Sequence, residues 1–140
     1  MQPVSRGRAV EIWSRMIKVV HKVSQAGGEH LRRWELTPPQ FDLIVRIGFK
    51  EGITQKELTD QISVTKGNIS QLIKKLEEQE YLFRKKEGVY HFLYLTEKGR
   101  DIFGHIVPEH DTFIDMQFKG LTTEEQATLN RLLKKLDESL

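Results

Sequence analysis

Residues Thr54–Leu82, TQKELTDQISVTKGNISQLIKKLEEQEYL, decide how this chain is to be read. Thr54 followed three residues later by Glu57 spells a capping box, in which the hydroxyl takes an orphan backbone N–H and the carboxylate reaches back. A short helix through Ile62 is expected. Ser63, Val64 and Thr65 then form a brief break with a second N-cap, after which Ile69, Leu72, Ile73 and Leu76 recur at i, i+3, i+4 and i+7. That stripe is a buried face. On a helix turning about 100° per residue, Gly67, Gln71, Lys74 and Glu78 point away from it, with Asn68, Ser70 and Lys75 on its flanks.

A short helix, a tight connection and a second helix with a polar N-terminal half make the helix-turn-helix pattern. The chemistry fits DNA. Asn and Gln pair with adenine edges, Lys with guanine and Ser with either, while Gly67 lets the backbone approach a phosphate at the helix start. A plain two-helix corner of an all-α core shares the pattern, so the flanks have to decide between them.

Upstream, residues 4–24 read as a helix with Trp13, Met16, Ile17 and Val20 on one face and Arg6, Arg8, Arg15, Lys18 and Lys22 elsewhere, and Ala26, Gly27 and Gly28 interrupt it. The stretch from Leu36 to Gly48 is the clearest helix: Thr37 caps, Pro38 takes the first helical position, Gln40 completes the box, and Phe41, Ile44, Val45 and Gly48 lie along one side. Downstream the period changes. Between Tyr81 and Leu95, β-favouring residues flank a Glu87-Gly88 turn, which predicts a short hairpin in the place of a wing.

A further helix is expected from about Glu97 to Phe118, burying Ile102, Phe103, Ile106, Phe113 and Ile114 and kinked by Pro108. Thr122 and Glu125 then cap a last helix striped by Leu129, Leu132, Leu133, Leu136 and Leu140. The terminal helices carry more apolar face than a small winged helix can cover. Dimerisation through both chain ends accounts for the surplus and supplies the two-fold symmetry of a palindromic site.

Composition bounds the alternatives. With 140 residues and 38% hydrophobic side chains the chain reads as one domain, or one compact domain with an appended assembly surface. No apolar run nears the ~20 residues that span a bilayer, and no signal-peptide core opens the chain, so a soluble cytoplasmic protein without membrane partners is expected. The absence of cysteine removes disulfides, thiolate metal sites and thiol catalysis together. Net charge is only +2, but Lys66, Lys74, Lys75, Arg84, Lys85 and Lys86 gather between Ser63 and Lys86 while the tail leans acidic.

These segments together resemble the MarR-type winged-helix regulators. LTPPQFDLIVRIG resembles that family's second helix, ITQKELTDQISVTKGNISQLIKKLEEQEYL runs without a gap along its helix-turn-helix, and LTEKGRDIF resembles the segment leaving its wing. The resemblance implies a mainly α fold with a small β-hairpin wing, in which N- and C-terminal helices form a dimerisation lobe. It implies an N-terminal dimerisation helix and connector over residues 1–36, a DNA-binding lobe over 37–96 and C-terminal dimerisation helices over 97–140. It also implies that Thr65, Lys66, Asn68, Ser70, Gln71 and Lys74 contact DNA from the recognition helix, with Thr54 and Gln55 facing phosphate.

Two departures stand out. The hairpin lacks the family's Asp-x-Arg tip, leaving Lys85, Lys86 and His91 to replace a planar arginine fork with weaker point charges. Glu80 stands where the family has glycine before the wing, which predicts a different helix exit.

No phosphate-binding glycine loop, HExxH or Ser/His/Asp grouping is present, so catalysis and cofactors are not expected. His105 and Glu109 at i, i+4, with His110 and His30, form the one conceivable metal set, against the plain reading of surface or interface histidines. An organic effector is the other candidate input, with Trp13, Trp34, Arg32, Arg33 and His30 as crevice-lining residues. The reading is therefore a dimeric repressor that binds double-stranded DNA at a palindromic operator, with Lys75, Arg84, Lys85 and Lys86 holding phosphates and a small molecule releasing it. A winged-helix protein-interaction module without an operator, and a metal-responsive regulator, are the competing classes.

Overall fold

Leu43, Ile44 and Ile47 occupy one side of a helix in the middle of the chain, and all three are sealed from solvent because every neighbouring element packs on them. The computed structural model describes residues 3–62 and 66–140, with the side chains of Lys66 and Gly67 outside that description. In chain order the elements are α1 (Arg8–Leu31), a 3-10 turn (Arg32–Trp34), α2 (Pro38–Phe49), β1 (Ile53–Thr54), α3 (Gln55–Gln61), α4 (Lys66–Glu78), β2 (Leu82–Glu87), β3 (Tyr90–Leu95), α5 (Glu97–Gln117) and α6 (Thr123–Glu138). The fold is mostly helical with one small antiparallel sheet.

The core joins α2 to Leu58 of α3, to Ile69, Ile73 and Leu76 of α4, and to Leu93 and Leu95 of β3. Burying each such side chain contributes about 1.5–3 kcal/mol, so the cluster holds the lobe together against its conformational entropy. Thr37 and Gln40 cap α2 reciprocally, as expected. Gln40 is nonetheless buried, and its amide donates to Gln79 Oε1 at 3.3 Å, tying the start of α2 to the end of α4. The most buried side of α2 carries Leu43 and Ile47 as well as Ile44, whereas Phe41 and Val45 are only half-buried.

Several expectations are corrected. The helix α1 runs straight through Gly27 and Gly28 to Leu31. Glycine costs about 1 kcal/mol relative to alanine in a helix, but here Gly27 is packed near His110 and Phe113, and buried Leu31 anchors the final turn. A third strand joins the hairpin: β1 pairs antiparallel with β3 through Ile53↔Leu93 and Thr54↔Phe92, giving the order β1-β3-β2. Two residues are too few to leave an alternating pattern in sequence. The hairpin turn is Gly88-Val89, closed by Glu87↔Tyr90, with Gly88 at φ 61°.

The Thr54 cap is half of the expected box. Its hydroxyl accepts the Glu57 N–H at 3.1 Å, but the Glu57 carboxylate accepts from the Thr54 hydroxyl at 3.2 Å and from Lys50 Nζ at 2.7 Å. Lysine offers a charged donor, and it holds the Glu57 carboxyl below its usual pKa.

Glu80 does not redirect the chain. It adopts the left-handed conformation itself, at φ 64°, and the helix closes with Tyr81 N–H on the Leu76 carbonyl and Glu80 N–H on that of Glu77, both at 2.9 Å. This is the Schellman closure that glycine ordinarily serves. The start of α5 seals it, with Lys98 Nζ donating to the Gln79 carbonyl at 2.9 Å and Thr96 N–H to that of Tyr81 at 3.1 Å. Gly99 permits the approach: a Cβ there would lie 2.0 Å from the Tyr81 carbonyl oxygen.

The helix α5 runs through Pro108 from Glu97 to Gln117, and α6 follows behind the expected Thr122/Glu125 box. No helix among the described residues is long and apolar enough to cross a membrane.

Candidate nucleic-acid interface

The buried stripe of α4 turns Asn68, Ser70, Gln71, Lys74 and Lys75 outward, all of them exposed. Thr65 lies outside the described residues, and so does the side chain of Lys66, whose backbone opens the helix. Gln55, the first residue of α3, donates from Nε2 to Ser70 Oγ at 3.0 Å. Two residues expected to meet DNA separately thus bridge the two helices at their exposed edge.

The wing divides its charges between two faces, because successive strand side chains alternate. Leu82, Arg84 and Lys86 share a face with Leu95, Leu93 and His91, their cross-strand partners. Arg84 pairs with Glu77 of α4 at 3.0 Å, so its guanidinium is already tethered to the helix beside it. Thr54, Gln55, Lys56, Arg84, Tyr90 and His91 line a cleft of about 560 Å³ between α3 and the wing. Four residues expected at DNA phosphates, Thr54, Gln55, Arg84 and His91, therefore come together.

Lys85 stands apart from them. It lies on the other face with Phe83 and Tyr94, whose rings stack at 5.5 Å, and its Nζ is 5.0 Å from the centre of the Tyr94 ring. Cation–π attraction of this kind is worth about 0.5–1 kcal/mol at an exposed site.

Residues considered for an effector or a metal separate into two places. His30 and His110 gather with Phe41 and Phe113 where α1 and α5 meet α2, while Trp34 of the 3-10 turn packs against the core with Arg33 over its ring. His30 stacks on Phe113 at 4.7 Å, its ring centre is 5.7 Å from that of His110, and His110 packs on Phe41 at 4.5 Å. His30 Nε2, Trp34 Nε1 and His110 Nδ1 are buried without a hydrogen-bond partner among the described residues. Burial lowers the pKa of both imidazoles; Arg33 adds to the effect on His30, and His30 to that on His110, with Asp111 opposing the latter. Glu109 forms an ion pair with Arg33, and Arg32 is exposed.

His105 is exposed, its Nδ1 lying 2.7 Å from the Asp101 carbonyl oxygen. Among the described residues no group of three or more His, Asp or Glu side chains is placed to hold a metal ion. Trp13 belongs elsewhere, in an open groove of about 580 Å³ with Ile12, Met16, Leu133, Leu136 and Leu140.

Glu51 and Arg100 were not legible as site residues. The Arg100 guanidinium donates to the Glu51 carboxylate through Nε and Nη2, both at 3.2 Å, across 49 residues of sequence. No local pattern announces a pair so far apart.

A sequence profile of the MarR family matches residues 34–89, from the 3-10 turn to the hairpin turn. An uncharacterized HTH-type transcriptional regulator of Bacillus cereus is 34% identical over 126 residues, covering 89% of this chain and 86% of that one. The chain belongs to the MarR family of helix-turn-helix transcriptional regulators; it is not an enzyme. Two solved structures share the fold. A MarR protein from Peptoclostridium difficile superposes with a TM-score of 0.86 at 22% identity, covering 99% of this chain and 93% of that one. A protein of Listeria monocytogenes described as a MarR family transcriptional regulator, complexed with 26mer DNA, gives 0.81 at 24% identity, covering 99% and 89%.

Proposed function

We propose that the protein is a cytoplasmic, dimeric, sequence-specific repressor that reads a palindromic operator with α4. The observation that carries this reading is the pairing on one helix of a sealed apolar face, Ile69, Ile73 and Leu76, with an exposed face of Asn68, Ser70, Gln71 and Lys74. A helix held so firmly on one side presents its other side at a fixed angle, as reading base edges in the major groove requires. Thr65 and Lys66 complete the recognition set. Thr54, Gln55, Lys75, Arg84, Lys86 and His91 hold backbone phosphates, and Lys85 contributes charge from the outer wing face.

The chain divides its labour at about residues 36 and 96. Ile12, Trp13, Ile17 and Val20 of α1 and Leu129, Leu132 and Leu136 of α6 are large apolar side chains left in water. A second copy covers them, and its two-fold axis sets two α4 helices one turn of DNA apart. The bound dimer blocks polymerase sterically. A small-molecule effector enters at the His30 and His110 junction, where His30 Nε2 and His110 Nδ1 have no hydrogen-bond partner among the described residues and can offer it hydrogen bonds.

The test is selection of the purified protein on random duplexes, followed by titration against salt using fluorescence anisotropy. An enriched palindrome with steeply salt-dependent binding is the expected result, since each neutralised phosphate adds about 0.9 to the slope of log K on log salt. Binding without an enriched sequence, or none at low salt, overturns the operator reading.

A further inference from the structure

Strand β1 begins at Ile53, yet its hydrogen bonding with β3 extends upstream of that residue. Gly52 N–H donates to the Leu93 carbonyl at 2.8 Å, and the next outward N–H of β3, that of Leu95, would face empty space beyond the strand. Glu51 fills that position with its side chain: Oε1 accepts the Leu95 N–H at 2.9 Å. The same carboxylate is held by the Arg100 fork from the first turn of α5, at 3.2 Å to each oxygen. One carboxylate therefore joins the loop after α2, the last residue of the wing and the first turn of α5. The pairing is charge-assisted and two-pronged, which fixes direction as well as distance.

We propose that Glu51 is a positioning residue for the wing. The wing's connections to the rest of the chain are short: β2 leaves the closure at Glu80, and β3 enters α5 through Thr96 alone. Buried Leu82, Leu93 and Leu95 anchor its base in the core, and this carboxylate adds the directional tie to the loop after α2 and to α5. The pitch of Arg84, Lys86 and His91 relative to α4 therefore depends on Glu51, which touches no DNA. Without it the Leu95 N–H has no acceptor and the hairpin samples a wider range of angles. Ordering it on DNA then costs conformational entropy that the wild-type protein has already lost on folding. The consequence is selective, because the bases are read by α4, whose buried face is independent of Glu51.

This inference rests on the proposed DNA-binding role, and the experiment separates the two. Full-length wild type, Glu51→Ala, Glu51→Gln and Arg100→Ala are titrated on the selected operator and on its single-base variants across salt. Glu51→Ala is expected to bind about tenfold more weakly, with a salt slope flatter by about 1 and an unchanged ranking of base variants. Glu51→Gln keeps an acceptor for Leu95 and retains most of the slope. Arg100→Ala falls between them.

Wild-type affinity and slope in Glu51→Ala, or loss of the base ranking together with the slope, overturns the proposal. If Glu51→Ala does not fold, wild-type behaviour of both Glu51→Gln and Arg100→Ala overturns it, and a flattened slope in Arg100→Ala upholds it. If the wild-type protein binds no DNA, the functional reading fails by itself, and amide hydrogen exchange on the free proteins decides the rest. Exchange about tenfold faster at Leu95 and along the wing of Glu51→Ala or, where that does not fold, of Arg100→Ala supports positioning, and unchanged exchange overturns it.

Discussion

Helices α4 and α6 carry the same apolar pattern and meet different fates. In α4, Ile69, Ile73 and Leu76 are all 0% exposed, whereas in α6 Leu129, Leu132, Leu133 and Leu136 remain 37–49% exposed. Both helices are amphipathic and well formed, so local structure does not distinguish them. The difference is the partner: α4 lies against α2 within its own chain, whereas the stripe of α6 borders open grooves, one of them shared with the N-terminal half of α1. An apolar stripe specifies that a face must be covered and leaves open by what.

The comparison breaks most visibly under truncation of the two stripes. Ile73→Ala should destabilise the folded chain by about 2–5 kcal/mol in urea unfolding, since the cavity forms in a packed core. Gly99→Ala belongs beside it: an added Cβ meets the Tyr81 backbone, which cannot move without opening the junction of α4 and α5, so loss of several kcal/mol of stability is expected. By contrast, if α6 lies in the proposed dimer interface, Leu132→Ala should leave the midpoint of a dilute sample unchanged and lower it relative to wild type only at concentrations where that dimer forms. A cost for Leu132→Ala that matches Ile73→Ala at every concentration would mean that α6 is an internal core helix after all.

Next in size is Leu136→Asp, a charge placed on the stripe of α6 beside the groove with α1. Sedimentation should show the proposed dimer weakened at least tenfold while circular dichroism of the monomer is unchanged. Retained dimers would move the interface elsewhere.

The His30 and His110 junction sharpens the contrast from the middle of the molecule. Both imidazoles titrate below their ordinary 6.5 because the folded protein buries them. The unfolded chain then binds more protons than the folded one below pH 6.5, so stability from this cluster is complete above that value and is lost as pH falls through the lowered pKa values. Urea midpoints at pH 7.5 and 5.5 should differ more for wild type than for a His30→Phe, His110→Phe double variant. An equal pH dependence in both proteins would place the titrating groups elsewhere.

Smallest is Glu80→Gly. A non-glycine residue in the left-handed region costs about 1–2 kcal/mol, part of which glycine returns as unfolded-chain entropy, so a gain of about 1 kcal/mol is expected from the shift in urea midpoint. Destabilisation would mean that the Glu80 side chain contributes more than its backbone strain removes.

Much of the fold was legible because its signals are short-range. Thr37 and Gln40, Thr122 and Glu125, and the spacing of Ile69, Ile73 and Leu76 each act within about two helical turns, and each has the structure its spacing implies. The outward residues of α4 follow from the buried ones by rotation. Where sequence and structure part, a distant partner is responsible. Gly27 and Gly28 look like a helix end until α5 packs beside them, and Glu57 looks like the second half of a box until Lys50 supplies a charged donor. Glu80 looks like a different helix exit, yet the backbone bonds to Leu76 and Glu77 impose the left-handed turn whatever the side chain.

The sequence by itself determined the hairpin and most of the helices, the boxes at Thr37 and Thr122 and the apolar stripes of α4 and α6, because hydrogen-bond capping and the 3.6-residue period are properties of neighbours along the chain. Only the tertiary structure decided which face met which, how the wing charges divide between two sides, and that one carboxylate joins the loop after α2, the end of β3 and the start of α5. Those outcomes depend on groups such as Gln40 and Gln79, or Glu51 and Arg100, that lie 39 and 49 residues apart. Separation of that length leaves no periodicity to read, and only folding brings such groups within hydrogen-bond distance.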